Sequence, residues 1–138
     1  MEKNPALIQV VALALIGPTG RVLMQRRRAE RAHGGLWEFP GGKIEARETD
    51  LSALQREIEE ELGLRLDQST LVYLAEASSD AAGIVIRLYT CRTWDGEPAA
   101  LDADALLWCE AAELAALPMP PLDMPLAAAV KEMLGQAN

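Results

Sequence analysis

A chain of 138 residues is long enough for one domain with a real core, and its make-up, half hydrophobic and a quarter charged, is that of an ordinary soluble globular protein. The net charge of −8 excludes a broad electrostatic grip on DNA or RNA, so an anionic partner has to be met locally, by bound cations or placed arginines. The lone histidine, His33, excludes most His-based zinc sites, and Cys91 and Cys109 stand in apolar contexts without a C-x-x-C pair, as free thiols of a reducing compartment do.

The run PALIQVVALALIG (5–17) is apolar but too short to span a bilayer, and Glu2 and Lys3 cancel where a signal peptide would carry positive charge. It predicts a buried central strand over 6–16 in a cytoplasmic protein. GPTG (17–20) reads as a turn and 21–27 as the hairpin partner of the first strand. Arg26, Arg27, Arg28 and Arg31 then charge either an edge strand or a phosphate site. A loop holding Ala32 to Gly35 leads into LWEFPGG. Residues 49–62 are predicted helical, with Leu51, Leu54, Ile58 and Leu62 at helical spacing and Gly63 where a C-terminal cap belongs. Strands are expected near 70–77 and 83–94, a turn at 95–98, a short strand at 105–109, and a short helix at 110–117. A proline-broken link (118–125) precedes a last helix at 125–134. No repeat or interdomain linker interrupts residues 1–138. The order implies a single α/β (α+β) domain, an α/β/α sandwich around a mixed β-sheet.

The helix over 49–62 carries the sequence's strangest feature, four glutamates at 57, 59, 60 and 61. Like charges three and four positions apart on a helix repel. At roughly 100° per residue, the leucines and Ile58 share one arc, Glu57, Glu60 and Glu61 share another, and Glu59 points to solvent. Converging carboxylates supply hard oxygen ligands that suit Mg²⁺ or Mn²⁺ rather than zinc. A solvated acidic face is the plainer reading of such a run. Its surroundings favour the metal: Gly41-Gly42 ahead of it, Glu48 before the helix, and Arg56 as a countercharge.

Gly42, Glu48, Arg56, Glu57, Ile58, Glu60, Glu61, Gly63 and Leu64 fill every specified position of the Nudix box, G-x5-E-x7-R-E-U-x-E-E-x-G-U with U aliphatic. The chain therefore resembles the Nudix hydrolases, and the likeness runs from the first strand to the last helix. The resemblance implies hydrolysis of a nucleoside diphosphate linked to another group, with Mg²⁺ or Mn²⁺, on an α/β/α sandwich. It implies Glu57, Glu60, Glu61 and the Gly41 carbonyl as metal ligands, and Glu48 with Arg56 as an ion pair orienting loop and helix. It also implies that either Glu57 or a loop acid, here Asp102 with Asp104 close by, activates water. A plain surface aspartate is the other reading of Asp102.

Arg26-Arg27, LWEFPGGKIE (36–45), WDGEP (94–98) and PPLDMPL (120–126) are most similar to the MutT-type nucleoside triphosphate pyrophosphohydrolases. LLWC (106–109) with the later Pro-Leu-Asp resembles their CTP pyrophosphohydrolase members. That likeness implies Arg27 as a phosphate contact, Phe39 as a wall of the base pocket and Asp123 as a base reader, where MutT itself carries an asparagine. Ionised aspartate only accepts hydrogen bonds, which favours a base edge presenting N–H groups; protonated in an apolar pocket, it donates instead. Core packing for Phe39 and helix N-capping for Asp123 are the structural alternatives. The expected partner is a small nucleotide, with no nucleic acid and no membrane; the resemblance implies a monomer, and a dimer is the alternative. Two other readings stand beside this one: a Nudix enzyme of another branch, acting on ADP-ribose for instance, and a non-catalytic nucleotide-binding module.

Overall fold

The structure is a computed structural model that describes residues 6–136; Glu2 and Lys3 lie outside the described residues. Seven strands divide between two sheets. In the first, the order is β4 (Gly41–Lys43), β1 (Ile8–Leu15), β6 (Ile84–Cys91), β5 (Val72–Ser79). β1 runs antiparallel to β4 and parallel to β6, and β5 runs antiparallel to β6, so this sheet is mixed as expected. The second sheet is antiparallel, with β2 (Val22–Arg26) between β3 (Trp37–Glu38) and β7 (Ala105–Cys109).

The expected β1–β2 hairpin is therefore corrected. The turn at 17–20 forms, with Gly17 N–H on the Arg21 carbonyl, but only the Ile16–Val22 bridge joins the two strands. Each strand is consumed by other partners, and the chain crosses from one sheet to the other at the turn. Nor is β2 an edge strand, so the arginines that follow it do not guard an open edge.

Helices lie on both sides. α1 (Asp50–Leu62) opens on a Thr49–Ser52 capping box and closes on Gly63, whose φ of 73° is cheap only for glycine. Its Leu54, Ile58 and Leu62 are fully buried with Val11, Leu13, Leu15 and Leu23. The alternate residues Ala12, Ala14 and Met24 face the opposite layer, against Leu126, Ala127 and Val130 of α3 (Asp123–Gln136) and Leu114 of α2 (Ala111–Leu114). The period-two alternation of β1 thus feeds two cores, one per face. α3 begins two residues earlier than the sequence predicts, since Pro125 sits in its first turn, where a missing N–H costs no helix bond.

Candidate active site

The LWEFPGG stretch after the arginine loop is locally extended. Its β3 pairs with β2, and β4 lies on β1 with Ala12 opposite Gly41 and Val11 opposite Gly42. Backbone contact is what the glycines permit: a Cβ on Gly41 would run into the Val11 carbonyl, and one on Gly42 into the Glu57 carboxylate. The Glu57 side chain therefore rests directly on the backbone of β4, beside the carbonyl expected to ligate metal.

Arg56 organises the outer half of the site. Its guanidinium donates to Glu48 at 2.7 and 2.8 Å, to Glu57 Oε1 at 2.6 Å and to the Lys43 carbonyl at 3.0 Å, with Glu60 Oε2 at 3.4 Å. These bonds, with one from the Glu45 N–H, hold the Glu48 carboxyl down to about 2, while the surrounding carboxylates push Arg56 up. The expected Glu48–Arg56 pair is present, joining the 45–48 loop to α1 and to the end of β4. Glu59 is exposed, as its arc predicts.

Glu61 turns inward. It is only 5% exposed, and the Gln25 Nε2 donates to its Oε1 at 2.7 Å. Burial, then the hydrogen bond and charge of neighbouring Glu57, raise its carboxyl far above the ordinary range. A buried carboxyl pressed against a second, partly exposed one is relieved by a shared proton or by a cation. The set fits Mg²⁺ or Mn²⁺ in kind, being all hard oxygen with a backbone carbonyl adjacent. It is not gathered into a coordination sphere as it stands: among the described residues no three acidic, His or Cys side chains cluster tightly enough to hold one ion. Arg56 draws Glu57 and Glu60 toward itself, and the Glu60 side chain, 59% exposed, has room to turn.

The remaining expected site residues form a second group at the end of β2 and β3. Arg27 donates to Glu38 Oε1 at 2.8 Å and to the Ala32 carbonyl at 2.8 Å. Phe39 is buried in the α3-side core, and its N–H donates to Asp123 Oδ2 at 3.1 Å. Asp123 is buried at the start of α3 and caps no helix N–H; it is pushed up to about 7 by burial, against the Phe39 hydrogen bond. Asp102 is gripped by Arg31 in the 95–104 loop, which is tied to the end of α1 by a 3.1 Å bond from the Leu101 N–H to the Glu61 carbonyl. The structure thus joins Glu48, Arg56, Glu57, Glu60 and Glu61 at the Gly41-Gly42 strand, and Arg27 to Phe39 and Asp123 through the Glu38 region, while the side chain of Asp102 bonds only Arg31 on a loop whose backbone reaches Glu61.

The sequence reading passes over Gln25 and Glu38, whose contacts link the groups. Gln25 Nε2 also leans toward Glu38 Oε2 at 3.4 Å, so a polar chain runs Arg27, Glu38, Gln25, Glu61. One sequence signal was available: Gln25 shares the strand parity of buried Leu23, which points it toward α1.

A mixed sheet between helices, with an arginine-latched acidic helix laid on a Gly-Gly strand, marks a class of three-layer proteins built around a carboxylate site. The chain belongs to the NUDIX domain family, whose model matches residues 6–131. It is 38% identical over 122 residues to the CTP pyrophosphohydrolase of Escherichia coli (strain K12), covering 87% of this chain and 88% of that relative. It is 31% identical over 124 residues to the 8-oxo-dGTP diphosphatase of the same strain, covering 89% and 96%. Among solved structures, a MutT from work on Aliivibrio salmonicida and Vibrio cholerae superposes with a TM-score of 0.81 at 27% identity, over 91% of this chain and 98% of that one.

Proposed function

We propose that this chain hydrolyses (deoxy)nucleoside triphosphates, canonical or modified, to the monophosphate and pyrophosphate, using Mg²⁺ or Mn²⁺. The observation that carries the reading is the Glu57 carboxylate lying on Gly42 beside buried Glu61, in a relative of enzymes named for pyrophosphate release. Glu57, Glu60, Glu61 and the Gly41 carbonyl would hold the metal, which when bound neutralises charge on the polyphosphate oxygens. Glu48 and Arg56 fix the helix and loop that present these groups. Glu57 or Asp102 takes the proton from the attacking water. Arg27 meets phosphate oxygens with the part of its guanidinium not engaged by Glu38.

Phe39 and Asp123 would bound the base. With its carboxyl pushed up to about 7, Asp123 donates below that pH and only accepts above it. It thereby suits either a base edge offering N–H groups, as cytosine and guanine do, or an oxidised purine offering an acceptor. The Nudix domain works in the cytoplasm as a monomer, with a dimer as the alternative. Its partner is a small nucleotide rather than nucleic acid, which the charge of −8 disfavours.

The test is pyrophosphate release with Mg²⁺ from 8-oxo-dGTP, dGTP, CTP, dCTP, 5-methyl-dCTP and 2-hydroxy-dATP, with ADP-ribose as an outgroup. Preference within the triphosphates supports the proposal. Cleavage of ADP-ribose alone moves the chain to another Nudix branch, and silence throughout favours a binding module.

A further inference from the structure

Gln25 is the one uncharged polar side chain in a strand, VLMQR, otherwise apolar up to its final arginine. It is 3% exposed, beneath α1, and faces Glu38 across the β2–β3 ladder. Its Nε2 makes a 2.7 Å bond to Glu61 and a longer one to Glu38. Its Oε1 is buried with no hydrogen-bond partner, the one such side-chain atom among the described residues. An orphaned buried carbonyl is costly, and an apolar side chain of the same length would avoid the cost. Apolar packing therefore gives no reason for a glutamine here; its one strong bond is to buried Glu61.

We propose that Gln25 is a positioning residue for the metal-binding carboxylates: its amide fixes Glu61 Oε1, leaves Glu61 Oε2 for a divalent cation, and keeps Oε1 as an acceptor for that cation's water shell. The inference rests on the metal-dependent reading above. Gln25 differs from the expected ligands in touching no metal; it acts through Glu61. Because the same Nε2 leans on Glu38, which holds Arg27, it also ties the phosphate-facing arginine to the acidic helix.

The test uses Gln25→Met, which keeps chain length without hydrogen bonding, with Gln25→Leu as the second variant should the first fail to fold. Mn²⁺ dissociation constants are measured by electron paramagnetic resonance for wild type, Gln25→Met, Glu61→Gln and the double variant, alongside thermal unfolding without metal. The expected result is a variant that stays folded without metal, at a Tm lowered by no more than the loss of one buried hydrogen bond, and a Mn²⁺ Kd raised about 10- to 100-fold, the range for residues that orient metal ligands. In the Glu61→Gln background the same substitution should change Kd less than about twofold, because the group it acts through is gone. Glu61→Gln binding weakly while Gln25→Met binds like wild type overturns the inference alone, as do equal losses in both backgrounds. Glu61→Gln binding Mn²⁺ as tightly as wild type overturns the metal reading and the inference with it.

Discussion

Asp123 and Phe39, 84 positions apart in the chain, meet through a 3.1 Å hydrogen bond from the Phe39 backbone N–H to the Asp123 carboxylate. The bond anchors the start of α3 to the strand segment between β3 and β4 and occupies one carboxylate oxygen. Under the proposed function the other oxygen is the one that meets the base. Burial pushes this carboxyl up to about 7 from an ordinary value near 4, so the native state binds a proton that the unfolded chain has already released. Stability from this group is then greatest at low pH and falls as pH rises from about 4 to about 7, by up to about 1.4 kcal/mol per unit. Asp123→Asn should remove that slope, measured as the difference between wild-type and variant urea midpoints across pH. The same variant should flatten any break near pH 7 in kcat/KM and shift preference among the triphosphates.

Gly42 gives a test of Glu57 that leaves every carboxylate in place. A Cβ there collides with the end of the Glu57 side chain, which is flexible enough to move, rather than with backbone. Gly42→Ala should therefore fold, and kcat should drop about 100-fold, the penalty typical of an ångström-scale misplacement. Gly41→Ala, whose Cβ meets the Val11 carbonyl, should instead lose β4 and appear as a fall in Tm.

The Arg31–Asp102 pair is bidentate at 2.9 and 3.0 Å but open to solvent at both ends. Such pairs add little to stability, so Arg31→Ala should shift Tm by no more than about 4 °C. If Asp102 takes the proton from water, Asp102→Asn should lower kcat about 100-fold with KM little changed. An unaltered kcat would leave the task to Glu57.

Metal uptake should release protons. Burial and neighbouring Glu57 raise the Glu61 carboxyl in the metal-free protein, and a ligating carboxylate is deprotonated. Calorimetric titration with Mg²⁺ at pH 7 in buffers of differing ionisation enthalpy should show that release, and Glu61→Gln should abolish most of it.

Helix α1 was legible because its signals are local: Thr49, the leucine spacing and Gly63 lie within one stretch and set its ends and buried face. The Glu48–Arg56 pair came from the resemblance to the Nudix box, which fixes both residues within one short stretch, rather than from their spacing alone. The two-sheet division was not. An apolar strand, a Gly-Pro turn and a second apolar strand read identically whether the strands pair or part, and the partner that captures β2, strand β7, lies some 80 residues on. Gln25 stayed hidden because its inward neighbour Glu61 is 36 positions away. Asp123 read equally well as a helix cap until Phe39 was brought beside it.

The central claim is that the carboxylates of α1 hold a divalent metal for pyrophosphate release, and Glu57→Gln tests it most directly. Pyrophosphate from the preferred triphosphate is measured with Mg²⁺ for wild type and variant at matched Tm. A loss of at least about 100-fold with the fold intact is the predicted result. Turnover near the wild-type level would contradict it.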